Sequence, residues 1–467
     1  MNSRPIFYWT GHPFVDAGLA TILLHAEKSH PEKITSQDVE NTIDFVSKLY
    51  AKKVWASKYL HGKIFPNNGI IMANPSMAKK RSPENISKNL KELYKAIPEV
   101  LDPSSKERRC IICGRRKPYE KEDVYRSIFP LLGTGGMLNF FPAANLHGGD
   151  ICAHCLFLVQ LMPVVAYNLS KVLVIHAYPY EKMLKLCEES FSRAKEEFLL
   201  SKDNDFEYNL DFKKAENFFF KKIIDITRKV ETGSKFWKDI SITLYYFING
   251  NKSGSQDIDI IHIPNSVLRF IAFAGEVDIK GWKNIVKRGW GTSKKKSFEE
   301  LEKKYSNEVY QRLLNDENIL EFFYDKQEKK VNCKWNLLKF YCLEVLKLEE
   351  KVLSFIKEVG DRIVETIEKL EDNKLKQVVR ELENSTKLYQ FENFFVRVEK
   401  IRQQKGIPNP LLTFEEFARL LTSYGEDINM SWKVVKNLLL FRIYEKLHDR
   451  LSSSSELEED SFEYEGG

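Results

Sequence analysis

The sequence predicts an α+β fold: a mostly helical, multidomain chain with a small β-hairpin or sheet region and a C-terminal helical bundle. Three observations support this prediction. Apolar residues recur every three or four positions over much of the 467 residues, which is typical of amphipathic helices. Two short runs near residues 240–263 are instead rich in β-branched and aromatic residues. Two Cys-x-x-Cys pairs between residues 110 and 155 indicate a separate lobe.

The N-terminal part of the chain is predicted to be helical. Apolar residues at helical spacing follow Pro13, and proline is favoured in the first turn of a helix. A second helix is expected to begin near Thr35, and a third after the cap-and-proline pair that starts at Ser82. The apolar stretch 156–178 contains several polar residues, which favours a buried helix followed by a strand at 172–175 over a membrane span.

Residues 240–263 interrupt this helical pattern. Two runs, 240–248 and 258–263, are joined by a link rich in glycine, asparagine and serine, which predicts a β-hairpin. From about residue 341 onward the apolar periodicity again indicates helices. The helices expected there span residues 345–370, 374–402, 413–424 and 431–451.

These patterns predict three parts of the chain. They are 1–340, an N-terminal domain with a lobe at about 105–160 and the hairpin at about 239–265; 341–451, the helical bundle; and 452–467, an acidic segment expected to be disordered. Residues 1–8 lack the basic stretch and apolar run of a secretory signal. The three remaining cysteines are scattered, so we expect a reducing, cytoplasmic location without disulfides.

The charge is unevenly distributed along the sequence. The formal net charge is +6, yet residues 452–467 carry six acidic residues and no basic one. Without that segment, the remaining 451 residues have a net charge of +12. A basic body favours an anionic partner such as nucleic acid, although many soluble proteins with this charge have no such partner.

Four of the seven cysteines form two Cys-x-x-Cys pairs, Cys110/Cys113 and Cys152/Cys155. Two thiolates separated by two residues can reach one metal ion from a tight turn, and two such turns supply the four sulfur ligands of a tetrahedral structural zinc site. Gly114 follows the first pair, where such a turn often requires a positive φ. The pattern therefore predicts one structural Zn²⁺ ion that does not react. Coincidence and redox use of the cysteines are the alternatives.

The two pairs are far apart for a simple zinc ribbon. Residues 114–151 place 38 residues between them, which is compatible with a site that closes off an inserted lobe. His147 and His154 lie near the second pair and can in principle replace a cysteine as ligand. Four sulfurs already complete the tetrahedron, so the cysteines are the predicted ligands.

We find no pattern typical of an active site in the sequence. His25-Ala-Glu27 matches the His-x-Glu half of a zinc deaminase, whose cysteine pair follows a proline. Here Arg109 precedes the first pair and Ile151 the second. The nine histidines form no His-x-x-x-His motif, and no Asp-rich cluster indicates a nuclease metal site. We therefore expect a protein that is not an enzyme.

Basic residues cluster in two places. Arg115 and Arg116 flank the first cysteine pair, where cations either offset the charge of four thiolates or contact phosphate. Residues 281–296 are the densest mixture of basic and aromatic residues, and aromatic faces can stack on exposed bases; a solvated basic loop is the alternative. The residues expected to bind nucleic acid in this second cluster are Trp282, Lys283, Lys287, Arg288, Trp290, Lys294, Lys295 and Lys296.

Several motifs occur in a recognisable order. The string from Phe7 to Ile22 reads Phe-Tyr-Trp-Thr-Gly-His-Pro-Phe-Val-Asp-Ala-Gly-Leu-Ala-Thr-Ile, and the two cysteine pairs follow it. With residues 129–142 and the hairpin that precedes Pro264, these motifs resemble the CXXC–CXXC family of CRISPR-associated proteins, large subunits of type I-B Cascade effector complexes. The resemblance covers most of residues 5–290, whereas the C-terminal helices are too generic to contribute.

The resemblance implies a non-catalytic role. The family's large subunit recognises the short motif that flanks the target (the PAM) in duplex DNA, aids duplex opening and R-loop formation, and docks a helicase–nuclease. The implied partners are the CRISPR guide RNA, target double-stranded DNA, the Cascade backbone and small subunits and the helicase–nuclease, and no membrane. Guide pairing reads the target sequence, so the protein contacts few base pairs. By loop placement, the residues expected to read the flanking motif are Asn67, Asn68, Thr134, Gly135, Asn139 and Asn145.

Two other functions are compatible with these features. One is an independent zinc-dependent enzyme that processes nucleic acid. The other is a structural scaffold that binds proteins through its helical bundle, residues 341–451, a region that also resembles the small subunit of the same complexes. Co-purification of a guide RNA with several partner subunits favours the large-subunit hypothesis over both alternatives.

Overall fold

The computed structural model describes residues 6–66, 69–121, 124–132, 149–199, 210–250, 256–291, 296–422 and 428–452. The chain divides into two compact units. Unit 1 comprises Met1–Phe218 and Asp239–Asn265, and unit 2 comprises Phe219–Lys238 and Ser266–Gly467. The domain boundary proposed at residues 340 and 341 stays a prediction. The acidic segment lies outside the described residues, except for Ser452.

Helices dominate unit 1, as the sequence predicts. They are α1 (Pro13–His25), α2 (Ser36–Ala51), α3 (Pro83–Lys95), α4 (Ala153–Leu161) and α5 (Tyr180–Leu199), with a π-helical segment at Val54–Ile64. Thr35 caps α2 by accepting a hydrogen bond from Asp38 N, and Ser82 caps α3 by accepting one from Asn85 N. Both predicted helix starts are therefore confirmed.

Helix α1 is buried on all sides in unit 1. Every residue from Pro13 to Leu23 is buried, so neighbouring elements cover the whole circumference of the helix. Gly18 allows α4 to approach closely, because a Cβ atom at this position would lie 1.8 Å from the carbonyl oxygen of Leu158. Helix α4 is also entirely buried, which accounts for its mostly apolar sequence.

A four-stranded antiparallel sheet completes unit 1. Its strands are β1 (Tyr167–Asn168), β2 (Val172–Tyr178), β3 (Ser241–Asn249) and β4 (Gln256–Ile263), in that order across the sheet. Ile175 of β2 pairs with Leu244 of β3, which pairs with Ile261 of β4. The predicted hairpin and the predicted strand at 172–175 are confirmed. In the described ranges, no helix has the length and apolar character needed to cross a membrane.

In its described residues, unit 2 is helical apart from one short hairpin, and the mostly helical α+β fold is thus as predicted. The hairpin pairs β5 (Tyr324–Asp325) with β6 (Lys330–Val331). The helices are α6 (Ala215–Lys229, which begins in unit 1), α7 (Asn265–Val277), α8 (Ile279–Arg288), α9 (Phe298–Lys304), α10 (Glu308–Leu314), α11 (Trp335–Glu344), α12 (Glu350–Ile367), α13 (Asp372–Asn384), α14 (Leu388–Gln404), α15 (Phe414–Leu421) and α16 (Ile428–Ser452).

The helix expected over residues 345–370 begins later than predicted. A turn separates α11 from α12, which starts at Glu350. Within this turn Lys347 has a φ of 58°, and Leu348 N donates to the carbonyl of Cys342 over 2.9 Å. The left-handed residue closes the end of α11, and the spacing of apolar residues gives no sign of it.

The helix expected over residues 374–402 is two helices, α13 and α14. Gln390 Oε1 accepts hydrogen bonds from the backbone N–H groups of Thr386 (2.8 Å) and Lys387 (3.0 Å) just before α14. A side chain that satisfies these donors starts a new helix at this point. The prediction missed the break because apolar periodicity continues on both sides of it.

Candidate metal centre and the surrounding surfaces

Two turns of unit 1 bring the four paired cysteines together. In the first turn, Gly114 N donates to the Cys110 carbonyl over 2.8 Å, and the φ of Gly114 is +64°, which confirms the positive φ expected there. In the second, Cys152 is the N-cap residue of α4 and Cys155 lies in the first turn of that helix. Local backbone structure therefore presents both sulfurs of each pair at one place.

The four sulfur atoms form a compact cluster. Cys110 Sγ lies 3.8 Å from Cys155 Sγ, and Cys113 Sγ lies 3.7 Å from Cys152 Sγ. All four atoms lie within 4.8 Å of one another. In a tetrahedral site with zinc–sulfur bonds of about 2.3 Å, neighbouring sulfurs are about 3.8 Å apart. The cluster therefore fits a single metal ion bound by four thiolates.

The cluster is shielded from water on most sides. Cys110, Cys152 and Cys155 are buried and Cys113 is half-buried. Burial raises the pKa of the Cys155 thiol, whereas hydrogen bonding to Cys110 lowers the pKa of the Cys113 thiol. Like charges at this separation repel one another, so four thiolates require a cation between them. This donor set is suited to holding a metal, and the buried sulfurs are not placed as exposed nucleophiles.

His154 supports the cluster from the second turn. Its ring stacks on Tyr8 with centroids 4.8 Å apart, and its Nδ1 lies 3.8 Å from Cys155 Sγ. Burial lowers the pKa of the imidazole from 6.5 to about 4, so the ring is neutral near pH 7. With four sulfurs in place, His154 is a neighbour of the ligands. His147, the other histidine considered as a ligand, lies outside the described residues.

Arg116 was predicted to bind nucleic acid, but the structure places it in the interior of unit 1. It is 4 % exposed, and its guanidinium donates to the carbonyls of Ile6 (2.8 Å) and Pro98. Its own carbonyl accepts a hydrogen bond from Cys110 N over 2.8 Å. Arg116 therefore ties the first cysteine turn to two distant backbone segments, and its burial keeps it from phosphate.

Arg115 lies on the surface of the same turn. Its guanidinium carbon is 4.4 Å from the ring centroid of Tyr8, a cation–π contact. Together with Arg109 and Leu101, the two side chains line an open cavity of about 460 Å³. Because Arg115 is exposed, it remains a candidate for contact with phosphate.

Helix α8 has a buried and an exposed face. Trp282 is 1 % exposed, and its ring packs edge-on against Phe270 at 5.5 Å and beside Tyr310 at 6.1 Å. Lys283 and Lys287 are exposed. The prediction that Trp282 offers a stacking face to bases is therefore corrected, because this ring belongs to the core of unit 2.

Three other residues of unit 2 that were expected to bind nucleic acid contact neighbouring residues of the same unit. Arg288 forms an ion pair with Asp325. Lys296 lies 4.0 Å from the ring centroid of Tyr305, and half-buried Trp290 donates through Nε1 to the Tyr305 carbonyl over 3.3 Å. Outside the described residues lie Lys294, Lys295 and all six residues expected to read the flanking motif: Asn67, Asn68, Thr134, Gly135, Asn139 and Asn145.

Sequence reasoning missed a hydrogen-bond network around the buried carboxylate of Asp16. The fully buried carboxylate accepts hydrogen bonds from Thr10 N (2.7 Å), Thr10 Oγ1 (2.8 Å) and Gly11 N (3.0 Å). His176 Nε2, on β2, lies 3.1 Å from the same carboxylate. Asp16 thus shapes the turn before α1 and links it to the sheet. An acidic residue in the first turn of a helix, five residues after Thr-Gly, is the signal that could have revealed this role.

Replacement of His12 should reduce the acid sensitivity of the fold. Burial lowers the pKa of His12 from 6.5 to about 4. Below pH 6.5 the unfolded chain binds a proton that the folded chain does not bind until about pH 4, so stability falls as the pH falls through this range. His12→Asn keeps a capping side chain for Phe14 N and should flatten the fall.

Urea unfolding at about pH 4.5 and about pH 7 measures this difference. His262, exposed on β4, provides the control: His262→Asn should leave the difference between the two pH values as in the wild-type chain. An equal loss of stability on acidification in wild type and His12→Asn would show that His12 does not contribute.

Comparison with protein families gives a match on the segment that carries the cluster. Residues 103–167 match the family model described as CRISPR-associated protein (Cas_CXXC_CXXC). The matched segment contains both cysteine pairs and α4. The match supports the resemblance to the CRISPR-associated CXXC–CXXC family that the sequence motifs indicated. No curated protein and no solved structure matches the chain.

Proposed function

We propose that this chain is the large subunit of a type I-B CRISPR RNA-guided surveillance complex and has no catalytic role of its own. The match of residues 103–167 to a CRISPR-associated family carries the proposal, because this segment contains all four clustered cysteines. The match supports a CRISPR-associated role. The proposal adds recognition of the flanking motif, aid in duplex opening and R-loop formation, and docking of the helicase–nuclease.

Zinc is the metal that we propose for the cluster. Soft thiolate ligands favour zinc over hard cations such as Mg²⁺ and Ca²⁺, and four thiolates in a tetrahedron are typical of structural zinc sites. The described ranges contain one group of this kind. Four protein ligands leave no position for water or substrate, so the four cysteines fix the lobe and do not take part in a reaction.

The metal centre is proposed to hold the lobe that reads the flanking motif. The two cysteine turns bracket residues 114–151 in the sequence, and four of the six candidate reading residues lie in this interval. Base reading in a groove requires side chains held in a fixed geometry. A metal bound by both turns keeps the two ends of the interval together, as this proposal requires.

Exposed cations are proposed to supply contacts to the phosphate backbone. Lys283 and Lys287 lie one helical turn apart on α8, and neither forms an ion pair with a residue that the structure describes. Phosphate contacts add affinity that is independent of sequence and falls with salt. This is the type of contact that a complex needs when base pairing with a guide RNA supplies the specificity.

Charge reversal on α8 should weaken DNA binding by the assembled complex whatever the flanking sequence. The double variant Lys283→Glu/Lys287→Glu is expected to lower the affinity for a target duplex by about tenfold or more. The slope of log K against log salt concentration should fall by about two. Both side chains are exposed, so the fold is expected to be retained. A salt titration of duplex binding measures both effects.

Lys351→Glu/Lys400→Glu is the matched control, since both lysines are exposed on other helices of unit 2, α12 and α14. This control should bind the duplex like the wild-type complex. Equal losses in the two double variants would mean that only total charge matters, and no loss on α8 would remove that helix from the interface.

Co-purification tests the proposed function against its two alternatives. A tagged chain should bring down a small guide RNA together with the backbone and small subunits of the complex. An isolated chain that cleaves or modifies nucleic acid would instead support a zinc-dependent enzyme. Partner proteins without RNA, and no salt-dependent affinity for DNA, would support a structural scaffold.

A further inference from the structure

Unit 2 contains a groove at the end of helix α16. It has a volume of about 600 Å³. The residues that line it come from the turn between β5 and β6, from helix α13 and from the last turn of α16. This volume lies within the range of about 300–1,000 Å³ that is usual for binding sites of small ligands, so the groove is large enough to hold several side chains.

The acidic groups inside the groove are already paired. Lys329 Nζ lies 2.7 Å from both carboxylate oxygens of Glu383, and the Tyr444 hydroxyl donates to Glu383 Oε1 over 2.6 Å. His448 Nδ1 donates to the Lys329 carbonyl over 3.0 Å. The positive charge of Lys329 offsets the negative charge of Glu383. The other charged residues that line the groove therefore determine its net charge.

The other charged residues that line the groove are mainly basic. Arg380 is exposed on α13 and forms no ion pair within the described ranges. Lys376 lies one turn earlier on the same helix, and Lys330 pairs with Glu328 at the hairpin. In all, four basic side chains and two carboxylates line the groove, a net charge of +2. A complementary occupant therefore carries negative charge.

The chain itself carries an acidic segment next to this groove. Ser452 ends α16 and lines the groove, and the following 15 residues contain six carboxylates and no base. Glu456 is four residues beyond Ser452, a separation that an extended chain spans over up to about 14 Å. Leu457 follows it, which matches the apolar side chains of Val379 and Leu451 in the groove.

We propose that the acidic segment, residues 453–467, binds this groove within the same chain and pairs its carboxylates with Lys376 and Arg380. Single exposed ion pairs are weak. A segment attached at the groove nevertheless has an effective concentration of about millimolar, so weak pairs are enough to keep it bound. The pairs weaken as salt screens them. This inference does not depend on the proposed function.

A labelled synthetic peptide with the sequence of residues 453–467 tests the proposal. It is titrated into the full wild-type chain and into a neutral variant, in which all six acidic residues of the segment are replaced by Gln or Asn. We expect the peptide to bind the neutral variant, more weakly as salt rises, and to bind wild type at least about tenfold more weakly because the tethered segment fills the groove. Equal binding to both chains overturns the proposal.

Charge reversal in the groove locates the binding site. In the neutral variant, the additional changes Lys376→Glu and Arg380→Glu should weaken peptide binding by about tenfold or more. The same neutral variant with Lys351→Glu and Lys400→Glu, at exposed lysines outside the groove, should bind the peptide unchanged. If both sets of changes weaken peptide binding equally, the assignment of the binding site to this groove is wrong.

A single-stranded DNA of about 30 nucleotides tests nucleic acid as the alternative occupant. Displacement of this DNA from the neutral variant by the peptide agrees with the proposal. If the DNA binds through Lys376 and Arg380 and the peptide does not displace it, the groove is a nucleic-acid surface and the proposal is wrong.

Hydrogen exchange adds a measurement that leaves the groove residues unchanged. The backbone amides of residues 326–331 and 376–380 should exchange at least about twofold more slowly in wild type than in the neutral variant, because the bound segment covers them. Identical exchange in both chains overturns the proposal, whether or not the groove variants fold.

Discussion

Cys110→Ser is expected to abolish binding of the structural metal ion and to destabilise unit 1. The wild-type chain should contain about one zinc ion per molecule. A neutral hydroxyl does not replace a thiolate ligand, and the four sulfurs lie within 4.8 Å of one another, so loss of one ligand opens the whole site. We expect the metal content to fall below about 0.2 per chain and the free energy of unfolding to fall by more than about 3 kcal/mol.

Cys187→Ala is the matched control for this prediction. Cys187 is buried in α5 of the same unit and is not part of the cluster. Its replacement should retain the metal and cost about 1 kcal/mol of stability. Metal analysis and thermal melting of both variants give the answer. A wild-type chain without metal, or Cys110→Ser protein with wild-type metal content and Tm, would refute the metal centre.

Asp16→Ala is the second substitution expected to have a large effect. The buried carboxylate accepts three hydrogen bonds from Thr10 and Gly11 and lies 3.1 Å from His176 Nε2. Alanine leaves these donors without their acceptor at a position where the native carboxylate is fully buried. Removal of one partner from a buried charged network costs about 3–5 kcal/mol, a large part of the stability of a typical domain.

Asp44→Ala separates this effect from a general cost of removing a helical aspartate. Asp44 is exposed on α2 and pairs with Lys48, also exposed, over 2.6 Å. Such pairs contribute about 0.5 kcal/mol or less. Urea unfolding followed by tryptophan fluorescence compares the two variants with wild type. A loss below about 1 kcal/mol for Asp16→Ala would show that the network does not hold the turn before α1.

The cysteine cluster could be predicted because its signal is local. Two residues between paired thiolates, and a glycine after the first pair, describe backbone turns that form whatever the rest of the chain does. The helix starts at Thr35 and Ser82 were predictable for the same reason, since a capping side chain acts within one turn of itself.

Composition alone could not predict which basic and aromatic residues are buried and which are exposed. Arg116 donates to the carbonyls of Ile6 and Pro98, and no pattern in the sequence links these segments. Trp282 is different, because Trp282, Ile285 and Val286 fall on one face of α8 at helical spacing and all three are buried. The helical spacing of these three residues predicts that Trp282 lies in the core. We gave more weight to the many basic residues around it and therefore expected a surface position.

Selection of target duplexes from a library with randomised flanks tests most directly whether this chain reads the flanking motif. The other subunits and the guide RNA are assembled with and without the chain, and the bound duplexes are sequenced. We predict that one short flanking motif is enriched when the chain is present, and that the preference disappears on targets melted beforehand. The same enrichment without the chain, or no enrichment with it, would contradict the proposed function.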